Sequence, residues 1–198
     1  MPEFKIILKQ FFSILSVALI CLSIYGFRNF SFGQMYDISG KLGILATLLF
    51  LLTIIPGIVQ RLKLTALNGL VNPLRFSRRT LGVAMFFAAL VHYQFAILFK
   101  IIKTGQRPEV QTYFIFGFLA LFLSLWLALT SNTFAKQKMG KWWKRLHSIT
   151  YLIVWLIFAH TILYEVSIIS ILVGIFAIVE LYSLIKVNYL DKKRMLPA

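Results

Sequence analysis

Six mainly apolar stretches divide the chain, at roughly 6–27, 38–59, 80–102, 111–131, 148–164 and 166–187. A helix needs about 20 residues to cross roughly 30 Å of hydrocarbon, so each stretch reads as one span. The pattern predicts an all-α integral membrane protein, a single transmembrane domain of six helices over residues 1–198. At 60% hydrophobic and 14% charged residues, with a mean hydropathy of +0.84, the chain is too apolar for a water-soluble domain of this size. The last two stretches are parted by a few residues around Glu165, which predicts a tight antiparallel hairpin. Pro56, near the end of the second, lacks an N–H and is expected to end or kink its helix. The first stretch follows Lys5 and Lys9 as a signal peptide would, but no small-residue cleavage site follows, and it is expected to stay as a span.

The formal net charge is +15, which in a soluble protein would suggest nucleic acid. Here the cations sit between the apolar stretches, where they set topology instead. Sixteen of the 21 Lys and Arg fall on one side of the predicted spans and five on the other. That asymmetry predicts cytoplasmic termini and cytoplasmic loops at 60–79 and 132–147. Some of these cations are also candidates to meet acidic groups of a cofactor or docking partner. The lone Cys21 cannot form an intramolecular disulfide.

Ionisable groups inside a span are expensive and point to function. Of three histidines, His92 lies thirteen residues after Arg79 and His160 fifteen after Arg145. At about 1.5 Å per residue both lie at similar depth, beyond the midplane toward the outer face. Two neutral imidazoles at equal depth on adjacent helices can supply both axial nitrogens of a haem iron. Alternatively, each bonds a neighbouring backbone carbonyl or hydroxyl and ties the bundle together. His147 stands at the cytoplasmic start of the fifth span, about 20 Å of helix rise from His160 and rotated from it by roughly 140° in an ideal helix. Either that helix is distorted or the two rings serve different neighbours. At the matching depth of the third span stands Arg79, so His147 has no evident partner ligand.

RRTLGVAMFFAALVHY at 78–93, LALTSNTFAKQKMGKWWKRLHSITYLIVWLIFAH at 127–160 and SGKLGILATLLFLLTIIP at 39–56 resemble the ferric-reductase-like transmembrane domain, in its MsrQ/YedZ branch. The resemblance covers roughly residues 39–165. It implies a b-type haem protein of the bacterial inner membrane. Such a protein passes electrons from a cytoplasmic flavin reductase or quinol to a periplasmic reductase, for this branch a molybdopterin methionine sulfoxide reductase subunit. It also implies one or two haems b, with His92 and His160 on the outer one and His147 as a third haem-associated histidine. FMN or a quinone is a further implied cofactor. The wider group commonly carries two histidines in the third span; here Gly105 and Gln106 stand where the second would fall, which points to the MsrQ-like branch.

Haem propionates are anionic and suit cationic partners. The inner candidates are Arg75, Arg78, Arg79, Lys144 and Arg145, and the outer ones Lys103 and Arg107. Gly43, Gly82 and Gly117 offer room for a porphyrin or ordinary close helix packing. No G-x-G-x-x-G fingerprint is present, so reducing equivalents are expected from another molecule. The six acidic residues, Glu3, Asp37, Glu109, Glu165, Glu180 and Asp191, are too scattered for paired carboxylate chemistry. Glu180 alone lies within a span, either as an inward hydrogen-bonded group or as a quinone- or proton-handling one. An electron-transfer subunit is the reading that results. Its rivals are a haem subunit for ferric or other metal reduction and a small transporter or proton channel that binds no haem.

Overall fold

A computed structural model describes residues 2–105 and 111–187, and among them every regular element is helical. They are α1 (Pro2–Asn29), α2 (Phe32–Arg61), α3 (Asn68–Tyr93), α4 (Phe99–Thr104), α5 (Thr112–Leu129), α6 (Thr133–Met139), α7 (Lys141–His147), α8 (Thr150–Tyr164) and α9 (Ile168–Ile185). Six helical segments are long and apolar enough to cross a membrane. Lipid supplies no hydrogen-bond partners, so a helix, which satisfies its backbone internally, is the form these stretches take. The chain is a multi-pass membrane protein.

Local chemistry sets the helix ends. Ser31 caps α2, with Gln34 returning a bond to the Ser31 N–H, and Ser167 and Ser170 do the same at α9. Gly105, at φ 67°, ends α4 in the left-handed conformation that only glycine adopts freely. The loop between α8 and α9 is only Glu165–Ser167, which makes the expected tight hairpin.

α2 is the central helix, with 61% of its apolar stretch buried against 17% for α1, α5 and the α7–α8 segment. It packs on α3 and α9; α3 also meets α1 and α5, and α8 joins α5 to α9. Three departures from the sequence pattern bear on the site. α2 runs through buried Pro56 to Arg61, because a missing N–H removes one ladder bond and the packed neighbours hold the rest. α3 begins at Asn68, inside the stretch read as a loop, and carries Arg75, Arg78 and Arg79 as helical residues. It also widens into one π turn over Gln94–Leu98, beginning two residues after His92, where Ser23 Oγ of α1 donates to Gln94 Oε1 at 2.7 Å.

Among the described residues one ion pair lies inside the bundle. Arg61 Nη2 donates to Glu180 Oε2 at 2.6 Å, Arg61 Nε to Ser183 Oγ at 2.8 Å and Arg61 Nη1 to the Tyr151 hydroxyl at 3.2 Å. Ser183 passes its own proton to Glu180 O at 2.7 Å. Glu180 is thus an inward hydrogen-bonded group, and the cluster joins α2, α8 and α9. Glu180→Ala leaves the Arg61 charge buried without its partner and is expected to cost about 3–5 kcal/mol. Arg61→Met with Glu180→Leu should recover most of that loss. Unfolding of the detergent-solubilised variants tests this, and a single Glu180 variant as stable as wild type would show the pair to be dispensable.

Candidate functional site

His92 on α3 and His160 on α8 stand side by side, with ring centroids 6.3 Å apart and planes inclined by 75°. His92 Nδ1–H donates to Ser39 O of α2 at 2.8 Å, and Ser39 Oγ lies 3.3 Å from the same nitrogen. His160 Nδ1–H donates to Tyr113 O of α5, also at 2.8 Å. A carbonyl only accepts, so both Nδ1 atoms carry the proton and both Nε2 atoms keep a lone pair. Among the described residues nothing bonds either Nε2. Bundle-tying and ligation were alternatives in the sequence; the structure gives the carbonyl bond to one nitrogen and leaves the other free.

An imidazole whose Nδ1–H is held by a carbonyl is oriented as metal-ligating histidines are. Among the described residues, however, no three His, Cys, Asp or Glu side chains gather to hold an ion. Two nitrogens suit a metal that brings its equatorial ligands with it. Beyond His160, Tyr113 and Tyr164 follow at ring distances of 6.0 and 5.2 Å, and Tyr164 OH lies 3.3 Å from exposed Tyr36 OH. Lys103's side chain and Arg107 lie outside the described residues.

His147 serves different neighbours. The backbone breaks from helix at residues 148–149, between α7 and α8, so α7 and α8 do not form one ideal helix. His147 faces a cavity of about 430 Å³, whose wall includes Arg75, Arg78, Arg79, Gly82, Lys136, Trp143, Lys144 and Tyr151. Its ring stacks on Trp143 at 4.0 Å and 24°, and its Nε2 lies 3.1 Å from Thr130 Oγ1. The Thr130 hydroxyl gives its one proton to Trp126 O at 2.7 Å, so it accepts from His147 Nε2–H. This tautomer is opposite to that of the other two histidines. Trp143 Nε1–H donates to Thr130 O at 2.9 Å, so the T-S pair after the fourth span and the G-K-W-W segment meet here.

The structure therefore gathers Arg75, Arg78, Arg79 and His147 round one cavity and His92 with His160 elsewhere. Arg145 belongs to neither, since it is exposed with its guanidinium 4.8 Å from the Trp142 ring. Lys136 and Tyr151 escaped the sequence reading. Tyr151 lies four residues after His147, a spacing that marks a common helix face, but nothing in the sequence joins Lys136 to the cavity.

Residues 42–158 match the family described as Ferric reductase like transmembrane component. The chain is also similar to the protein-methionine-sulfoxide reductase heme-binding subunit MsrQ of Salmonella paratyphi B and of Salmonella newport, at 33% identity to each over 99 residues. The match takes in 48% of this chain and 49% of each relative, so the chain spans about half the length of the curated relatives it matches. No solved structure matches the chain.

Thr130→Val removes the acceptor of the His147 Nε2–H and leaves a half-buried donor unpaired. A loss of about 1–3 kcal/mol is expected in thermal unfolding, and Thr130→Ser should restore most of it. An unaltered melting curve for the valine variant would remove this bond from the account.

Proposed function

The chain belongs to the family of ferric-reductase-like transmembrane components, and from that premise we propose that it is a membrane electron-transfer subunit holding haem b between His92 and His160. The observation that carries this reading is the pair of imidazoles 6.3 Å apart, each with Nδ1–H on a backbone carbonyl and Nε2 unengaged. Its relatives named as heme-binding subunits support it. Metal–imidazole bonds are about 2.0 Å long in zinc sites, and rings at this separation leave space for a metal atom between them. When bound, haem supplies one-electron chemistry at a potential set by its axial ligands and burial.

The chain's own residues orient the ligands, exclude water and fix charge. Ser39 O and Tyr113 O hold the two rings in the ligating tautomer, and apolar α2, α3, α5 and α8 surround them. The same logic supports one haem per chain, because His147 commits Nε2 to Thr130 and faces no second imidazole. The basic cavity at the other end is where electrons enter, from a flavin reductase or quinol. Arg75, Arg78 and Arg79 there suit the anionic groups of FMN.

The excess of Lys and Arg at the cavity end supports a cytoplasmic position for that end and an outer position for the His92–His160 end, and the membrane in this reading is a bacterial inner membrane. The acceptor is a periplasmic reductase, a molybdopterin methionine sulfoxide reductase in this branch.

Detergent-purified protein should show a Soret band and, on reduction, a b-type α band. His92→Ala and His160→Ala should each lose haem by about tenfold or more, while His147→Ala retains it. Protein without a Soret band returns the choice to a haem-free transporter, and haem retained in full by His92→Ala sinks the axial pair.

A further inference from the structure

Two glycines stand against the two histidines in the same way. A Cβ at Gly43 would meet His92 Nδ1 and Cε1 at 3.1 Å, and one at Gly117 would meet His160 Nδ1 at 2.7 Å and Cε1 at 2.9 Å. In each case the carbonyl that accepts the imidazole proton lies four residues earlier, Ser39 before Gly43 on α2 and Tyr113 before Gly117 on α5. Within a helix that carbonyl already accepts the N–H of the residue four positions on, here the glycine itself. A carbonyl has a second lone pair, but a side chain at the fourth residue stands over it. Glycine removes that obstruction and lets the edge of a ring from another helix reach the oxygen. The sequence segments SGKLG at 39–43 and YFIFG at 113–117 thus build one device twice, on two helices facing two different partners.

We propose that Gly43 and Gly117 are positioning residues that set the donor strength of the two axial imidazoles, an inference that rests on the haem reading above. Each opens a carbonyl to an Nδ1–H, which fixes the tautomer and makes the ligating nitrogen more basic. A more basic axial ligand favours the ferric over the ferrous state and holds the midpoint potential down. The two notches are not equally tight. An approach of 2.7 Å to His160 demands displacement of the ring, whereas 3.1 Å to His92 demands a few tenths of an ångström. Gly117 therefore has the larger effect. Alanine favours the helix itself over glycine, so loss of haem on either substitution does not arise from a weaker helix.

The experiment compares wild type, Gly43→Ala, Gly117→Ala and, as control, Gly40→Ala, whose Cβ would meet nothing within 4 Å. Haem per chain, redox potentiometry and the electron paramagnetic resonance of the oxidised protein are the readouts. Gly117→Ala should weaken haem retention by about 10–100-fold, raise the midpoint potential of what remains and shift its g values. Gly43→Ala should move all three in the same direction by less, and Gly40→Ala should leave them at wild-type values. Should the alanine variants not accumulate, ¹⁵N NMR of labelled imidazoles in the reduced wild type reads the same device. Nδ1–H is expected for His92 and His160, and Nε2–H for His147. Wild type without haem overturns the functional reading together with this one. Wild type with haem, and Gly117→Ala unchanged in haem content, potential and g values, overturns the notch alone, as does an Nδ1 without its proton on His160.

Discussion

Hydrocarbon offers no hydrogen bonds, and the backbone and the buried Arg61, Glu180, His92 and His160 of this bundle answer to that constraint. It makes the six long apolar stretches helices, since only a helix satisfies its own backbone. It also explains the polar side chains inside. Arg61 places each of three guanidinium nitrogens on a different acceptor, Glu180 and Ser183 of α9 and Tyr151 of α8. His92 and His160 each spend one nitrogen on a carbonyl of a neighbouring helix. Where such partners are absent the price is several kcal/mol per group, so the few buried polar groups here dictate which helix faces which.

The same chemistry divides the molecule into two ends. At one, two imidazoles keep free Nε2 lone pairs in apolar surroundings, an arrangement that suits a metal bringing its own equatorial ligands. At the other, His147 uses Nε2 as a donor, stacks on Trp143 and shares a cavity with three arginines. A wall of cations suits anionic groups better than it suits a metal. The two ends are joined by α3 and by the α7–α8 segment, each of which carries a residue of both sites: Arg78 and His92 on the first, His147 and His160 on the second. A continuous helix is stiff along its axis, so α3, which carries Arg78 and His92 on one unbroken helix, builds in the separation of the two sites.

Much of this was readable from residue order. The span count and the α8–α9 hairpin follow from apolar length, and the shared depth of His92 and His160 follows from counting residues from Arg79 and Arg145. The roughly 140° offset between His147 and His160 already implied a distorted helix or different neighbours, and the structure has both. Other features resisted. α3 extends back to Asn68 through a segment whose charges look like a loop, because a helix outside hydrocarbon needs no apolar run. Pro56 looks like a stop, yet tertiary packing carries α2 past it. Arg61 counts as a topology residue in the sequence and is an ion-pair partner in the fold, since nothing in residue order couples positions 61 and 180.

What the sequence determined by itself is axial: how many membrane-crossing stretches there are and at what height each histidine sits. That information is local, because every helical residue rises by the same increment. What only the tertiary structure decided is azimuthal: which carbonyl each imidazole meets, which tautomer follows and that glycines at 43 and 117 clear the way. Rotation about the helix axis is set by the packing of all neighbours at once, and a difference of one residue, about 100°, turns an inward imidazole toward lipid.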